Sequence, residues 1–126
     1  MIKRPLNIRF GAAARTGRKG TTIRDKAWPV GKPIMLYYWT GAAYRSKQLD
    51  CVAVVVMDTT PITISRQLDG FMSYCLERKI VPNPLWKGEG FDSQGEMDDW
   101  FSALLQPGQK ICKYLMSFRL WKEGTE

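Results

Sequence analysis

Ile34-Met35-Leu36-Tyr37-Tyr38-Trp39 and, beyond a polar loop, Leu49-Asp50-Cys51-Val52-Ala53-Val54-Val55-Val56-Met57 decide the fold. β-Branched and aromatic side chains crowd both runs, and such residues suit a pleated, half-buried surface. Two strands are expected here. Pro29-Val30-Gly31-Lys32-Pro33 leads into the first run and reads as a turn, since proline fixes φ and glycine permits the reversal. Pro61 then precedes a third short run, Ile62-Thr63-Ile64. Lacking a backbone donor, Pro61 belongs at a strand start or on an edge.

Ser93-Gln94-Gly95-Glu96 fits a capping box. Behind it Met97, Trp100, Phe101, Leu104 and Leu105 recur at helical spacing and predict one apolar, core-facing stripe. Asp98 and Asp99 fall in the early turns, where the helix dipole favours negative charge, and Pro107-Gly108 ends the helix. A second helix is expected over Leu68 to Lys79. The run Cys112 to Leu120 alternates, with Cys112, Tyr114, Met116, Phe118 and Leu120 on one face, and predicts a half-buried antiparallel strand.

Toward the N-terminus, Leu6 to Phe10 reads as a short strand. Gly11 to Gly20 reads as a surface loop or short helix, and Thr21-Thr22-Ile23-Arg24 as a strand. The whole is an α+β chain of five to six mostly antiparallel strands, expected to form a small β-barrel with one or two helices packed at its ends. At 126 residues, with no repeat and no dividing linker, one domain over 1–126 is expected.

Histidine is absent, which removes the commonest metal ligand and general base. Cys51, Cys75 and Cys112 are widely spaced and form no CxxC pair, so they read as reduced, mostly buried thiols without metal. No apolar run approaches the roughly 18–20 residues of a membrane helix, and Met1-Ile2-Lys3-Arg4-Pro5 is no signal peptide, so a cytoplasmic protein without membrane contact is expected. The formal charge is +7. Residues 1–50 hold 11 basic side chains against Asp25 and Asp50, a local balance of +9, whereas residues 51–126 carry 8 basic and 10 acidic, or −2. Such asymmetry fits a polyanionic partner, RNA or DNA, and equally a solvated surface.

The densest chemistry lies in Gly17-Arg18-Lys19-Gly20-Thr21-Thr22-Ile23-Arg24-Asp25. Arg24 can grip a phosphate bidentately, Lys19 offers a mobile ammonium, the hydroxyls can donate, and glycines let the backbone approach closely. The order is not that of a Walker loop. Lys19 is expected in an exposed loop and to contribute little to stability.

The spacing G-x-K-x-x-T-x-R, carried by Gly17, Lys19, Thr22 and Arg24, resembles the signature of ASCH domains, small β-barrels of the PUA-like superfamily. Pro29 to Ile34 is similar to the family's V-G-D turn, with Lys32 in the acidic position. Glu89-Gly90-Phe91-Asp92-Ser93 with Glu96-Met97 is similar to its E-G-F-x-S-x-E-E-M lead into a helix. The resemblance spans most of residues 8–120. It implies binding of RNA or a modified nucleoside in a cleft beside the barrel, without a cofactor. In compact bacterial amidohydrolases of the family a lysine, a threonine and a glutamate remove the acetyl group of N-acetylated cytidine, and another member cleaves single-stranded RNA. By motif, those roles fall on Lys19 as base, Thr22 as nucleophile and Glu89 as its orienting or protonating partner. Gly20, Thr21 and the longer stretch from Arg66 to Lys87 depart from that subgroup toward a phage-type branch.

Substrate contacts are expected from Arg18, Arg24 and Thr21 in the motif, from Tyr38 on its strand, from Arg45 and Lys47 in the following loop, and from Trp86 in Pro82-Asn83-Pro84-Leu85-Trp86. Trp28 is a further aromatic that either stacks a base or fills the core. Two alternatives stand beside the hydrolase: a non-catalytic RNA-binding module using Arg18, Arg45 and Lys47 as phosphate contacts, and a phage or host regulatory protein-interaction domain. No obligate protein partner is evident.

Overall fold

The computed structural model describes residues 1–77 and 84–122. In chain order the strands are β1 (Ile2–Pro5), β2 (Thr21–Arg24), β3 (Pro33–Trp39), β4 (Gln48–Arg66), β5 (Met72–Leu76) and β6 (Lys110–Leu120). The helices are α1 (Gly11–Arg15), α2 (Leu85–Glu89) and α3 (Gln94–Ser102), with a 3-10 turn at Ile8–Phe10. The strands form one mixed sheet in the order β1-β3-β4-β6-β2, with β5 also paired to β4. Only β1 and β3 run parallel. Among the described residues no ladder joins β1 to β2, so the sheet stays open where a barrel was expected.

The two expected strands over 49–57 and 62–64 are one, because Pro61 does not interrupt β4. Pro61 stands opposite Tyr114 of β6, and its carbonyl accepts the Glu77 N–H at 3.4 Å, so its backbone faces the β5 side. On that side β3 pairs no further than Val55, and the pairing with β5 starts at Ile62. The missing donor falls at the end of the β5 pairing, opposite Glu77, so it forgoes one terminal bond and leaves the ladder to β6 intact.

Leu68 to Lys79 is not helical across its described part; Arg78, Lys79 and Pro82-Asn83 lie outside the described residues. Gly70 takes φ +92° in a turn closed by the Gln67 N–H on the Phe71 carbonyl at 2.8 Å, and β5 folds back on Ile62–Arg66. An Asp69-Gly70 reversal between β-forming runs is a hairpin signal that outweighed the helical spacing. Leu6 to Phe10 is likewise no strand. β1 ends at Pro5, and the Asn7 side chain caps the 3-10 turn through the Arg9 N–H at 3.0 Å.

β6 does not keep a single buried face. Cys112 and Tyr114 are exposed, while Leu115, Met116 and Phe118 are all buried. A register shift between Val56 and Asp58 of β4 falls here, β2 adds alongside, and the Trp28 N–H reaches Met116 Sδ at 3.1 Å, covering the second face. The core gathers Ile34, Leu36, Val54, Val56, Ile62, Ile64, Leu115 and Met116 beneath Phe91, Met97 and Phe101. α3 begins as the capping box predicts: Ser93 Oγ accepts the Glu96 N–H at 3.1 Å, while Glu96 reaches back to the Asp92 N–H at 3.2 Å. α3 ends at Ser102, short of the expected stop at Pro107-Gly108, because the chain tightens into turns in which the Leu104 and Leu105 N–H groups bond the Phe101 and Ser102 carbonyls at 3.1 and 3.2 Å. Met97, Phe101 and Leu105 of the stripe are buried, but Trp100 and Leu104 stay partly exposed. The Tyr74 hydroxyl donates to Asp98 at 2.7 Å and ties α3 to β5; burial and that carboxylate hold the phenol well above its usual range. Among the described residues no helix is long and apolar enough to cross a membrane.

The cysteines are not mostly buried: Cys51 is half-buried, while Cys75 and Cys112 are exposed. Both of the latter stand in register with Thr63 on opposite neighbouring strands. Two strand spacings, about 9–10 Å, separate them, beyond the roughly 7 Å a disulfide spans. A charged thiol reagent is therefore expected to label two cysteines quickly and the third only on unfolding. Mass spectrometry of the labelled protein would place the fast sites at Cys75 and Cys112; fast labelling of Cys51 would contradict this burial pattern.

Candidate functional site

The segment after α1 is pinned before it reaches β2. The Gly17 N–H bonds the Ala14 carbonyl at 3.2 Å and the Lys19 N–H the Ala13 carbonyl at 2.9 Å. Gly20 then donates to the Gly88 carbonyl at 2.8 Å and accepts from the Phe118 N–H at 2.9 Å. Lys19 thus enters the interior rather than solvent, at 4% exposure, contrary to the exposed loop expected.

α2 brings Glu89 to meet it. The Phe91 N–H closes on the Trp86 carbonyl at 3.0 Å and the Gly90 N–H on the Lys87 carbonyl at 3.1 Å, a Schellman ending with Gly90 left-handed at φ +94°. A Cβ on Gly90 would stand 3.2 Å from Phe10 Cδ1 and 3.4 Å from Lys19 Cβ, so glycine is required for space as well as for conformation. This ending leaves the Glu89 carbonyl unused, and Lys19 Nζ donates to it at 2.8 Å. A cation there also complements the negative end of the helix.

The Glu89 carboxylate is equally enclosed, at 4% exposure. Its Oε1 lies 3.9 Å from Lys19 Nζ, and its Oε2 accepts the Thr21 hydroxyl. The ammonium further stands 5.0 Å from the Phe10 ring centroid. Burial pushes the Lys19 pKa down and the nearby Arg24 pushes the same way, while Glu89 pulls it back up.

Two residues along β2, Arg24 Nε donates to Thr22 Oγ1 at 2.9 Å. The guanidinium lies 4.8 Å from the Trp28 ring, and Trp28 is a buried core residue rather than a base-stacking one. Burial also lowers the Arg24 pKa, opposed by Glu89. Because the Arg24 donor engages the Thr22 oxygen as acceptor, the hydroxyl proton remains available to another base.

Lys19, Thr22, Arg24 and Glu89 line one cleft of about 220 Å³. Its remaining walls come largely from Phe10, Phe91, Trp100 and Leu104, with Lys113 at one side held by Asp25. The partly exposed Trp100 of α3 and Leu104 just beyond it are therefore cleft walls, which explains their departure from the core stripe. Arg9 sits 4.8 Å from the Phe10 ring and 5.3 Å from the Phe91 ring and pairs with Glu96. None of these aromatics was marked for the site in the sequence; Phe91 carried a signal, standing two residues after Glu89 in the Glu-Gly-Phe segment.

The other expected substrate contacts lie elsewhere. Thr21 is buried behind the cleft and orients Glu89. Arg18 pairs with Asp92 at 3.2 Å and borders a separate groove with Lys87 and Phe118. Tyr38 turns toward α1 and accepts a hydrogen bond from Arg15 at 3.0 Å, so it is not the outward member of its run. Trp86 is half-buried against the core, and Arg45 and Lys47 lie exposed near the β3–β4 turn. None of these six lines the cleft.

No protein-family model matches this chain, and no curated protein or solved structure does.

Lys19→Met leaves the Glu89 carboxylate buried opposite an apolar group, so urea denaturation is expected to show a loss of about 3–5 kcal/mol. Arg18→Met, at an exposed pair, should change stability by less than about 1 kcal/mol. Equal effects of the two would mean that Lys19 is not enclosed as described.

Proposed function

We propose that the cleft binds a modified nucleoside, free or within RNA, and hydrolyses an acyl amide on it, as the resemblance to ASCH amidohydrolases implies. PUA-like architecture is part of the same proposal. The observation that carries it is a threonine hydroxyl held by an arginine donor in the wall of a cleft that a proton-weakened lysine also lines.

Each group has a chemical duty. Lys19 as the neutral amine takes the Thr22 proton while Oγ1 attacks the acyl carbon. The attack moves the negative charge onto the acyl oxygen, and the Arg24 guanidinium, which orients Oγ1 through Nε, stabilises that oxyanion. The C–N bond breaks as Lys19 returns the proton to the leaving amine, and water then hydrolyses the Thr22 ester. Glu89 does not touch the reacting atoms; it holds Lys19 through its carbonyl and carboxylate, and Thr21 holds Glu89. Phe10, Phe91 and Trp100 offer apolar surface to a base.

With N-acetylated cytidine as substrate, Thr22→Val is expected to lose turnover by more than about a hundredfold while Thr22→Ser keeps a measurable rate. Undiminished acetate release by a folded Thr22→Val protein would overturn the mechanism.

The pH dependence follows from Lys19. Because the active form is the neutral amine, kcat/KM should rise with pH through a value below the ordinary lysine 10.5. The folded protein releases this proton more readily than the unfolded chain. Lys19 therefore adds stability as pH climbs from its lowered value toward 10.5, and that contribution is lost below the lowered value. A rate profile whose rising limb sits at 10.5 or above would contradict the assignment of Lys19 as base.

A further inference from the structure

The far end of the β3–β4 hairpin carries a feature that the cleft does not use. Tyr37 and Trp39, two residues apart on β3, share a face, and their rings meet edge-on with centroids 6.0 Å apart. The Tyr44 ring continues the series at 5.2 Å from Trp39. Tyr44 is 89% exposed and takes φ +63°, a left-handed conformation that an aromatic residue rarely adopts.

The turn that holds Tyr44 there is internally bonded. The Thr40 N–H donates to the Lys47 carbonyl at 2.9 Å, the Gly41 N–H to Ser46 Oγ at 2.9 Å, and Ser46 Oγ to the Ala42 carbonyl at 2.8 Å. An exposed Tyr44 ring held by a bonded turn against the half-buried Trp39 is pre-organised for a flat ligand.

Arg45 and Lys47 flank the rings and pair with no carboxylate among the described residues. The nearby acid, Asp50, is occupied by Lys3 at 3.1 Å. An exposed ring backed by half-buried ones, beside cations without a carboxylate partner among the described residues, matches a chain of bases on a phosphate backbone.

We propose that Tyr37, Trp39 and Tyr44, with Arg45 and Lys47, form a stacking platform for single-stranded RNA, separate from the cleft. The choice of RNA rests on the reading of the cleft; the platform's geometry does not. Bases stack on the Tyr44 and Trp39 rings, and the two cations follow the backbone.

The test is fluorescence anisotropy with a labelled single-stranded RNA oligomer, run beside turnover of N-acetylated cytidine. Tyr44→Ala and Trp39→Ala are each expected to weaken RNA binding about tenfold, and Arg45→Gln with Lys47→Gln to flatten its salt dependence. All these variants should turn over the free nucleoside at the wild-type rate. Duplex RNA of the same length should bind the wild type no better than single-stranded RNA binds Tyr44→Ala. Unchanged affinity in both ring variants overturns the platform, as does a wild-type protein that binds no RNA at low salt or binds single-stranded DNA alone. The two proposals fail separately: absent turnover with RNA affinity lost in Tyr44→Ala removes only the hydrolase, and turnover with unmoved RNA affinity removes only the platform.

Discussion

An ammonium group buried against a helix end constrains more of this molecule than any other contact. Lys19 Nζ satisfies the last carbonyl of α2, faces the Glu89 carboxylate and lies beside the Phe10 ring. Removing a charge from water is costly unless such partners replace the solvent. The partners come from two stretches, α2 and the 3-10 turn, so the requirement ties the loop after α1, the turn at Phe10 and the turn at Gly90 to one geometry. Gly20 and Gly88 meet through their backbones, and Gly90 leaves no room for a side chain. The glycines of this chain near the site are consequences of where one lysine has to go.

The sheet depends less on any single contact. β4 is long enough to pair with β3 and β5 on one side and β6 on the other, so its apolar residues meet neighbours along nearly its whole length. That continuity was hidden in the sequence by Pro61, whose lost donor matters only where a partner strand stands opposite. The hairpin at Asp69-Gly70 was hidden differently: Leu68, Met72 and Leu76 keep helical spacing, yet strand pairing to β4 prevailed. β6 alternates as far as Tyr114 with the face expected inside, Cys112 and Tyr114, turned outward, and the alternation breaks at Leu115 and Met116, where Trp28 and β2 cover the second face. Local pattern reports local environment; how many faces are covered is decided by distant segments.

The site was legible to the extent that its chemistry is concentrated. Gly17 to Arg24 and Glu89 announced themselves by residue type, and the fold brings Lys19, Thr22, Arg24 and Glu89 to one cleft. What residue type does not report is direction. Thr21 and Thr22 are neighbours of equal chemistry, but successive side chains on a strand point to opposite sides. One therefore orients Glu89 while the other lines the cleft. Arg18 differs from Lys19 by a single position and ends in solvent beside Asp92. The aromatic walls were read as core because α3 spacing places Trp100 and Leu104 next to buried Phe101, and the stripe is wider than the core it covers.

In the proposed mechanism, structural and chemical duties converge on Lys19 for one physical reason. The enclosure that makes its ammonium costly is the enclosure that loosens its proton, and Arg24 adds to that loosening while Glu89 limits it. A lysine on the surface would be harmless to the fold and useless as a base near neutral pH, because water would keep it charged. A lysine buried without Glu89 would lose its proton but also the contacts that fix its direction. The carboxylate next to it therefore sets a compromise, close enough at 3.9 Å to hold the amine and too far to clamp it as a tight ion pair. Thr21 takes up the other carboxylate oxygen and keeps that separation. Burial first, with Glu89 opposing it and Arg24 adding to it, sets how readily this lysine gives up its proton.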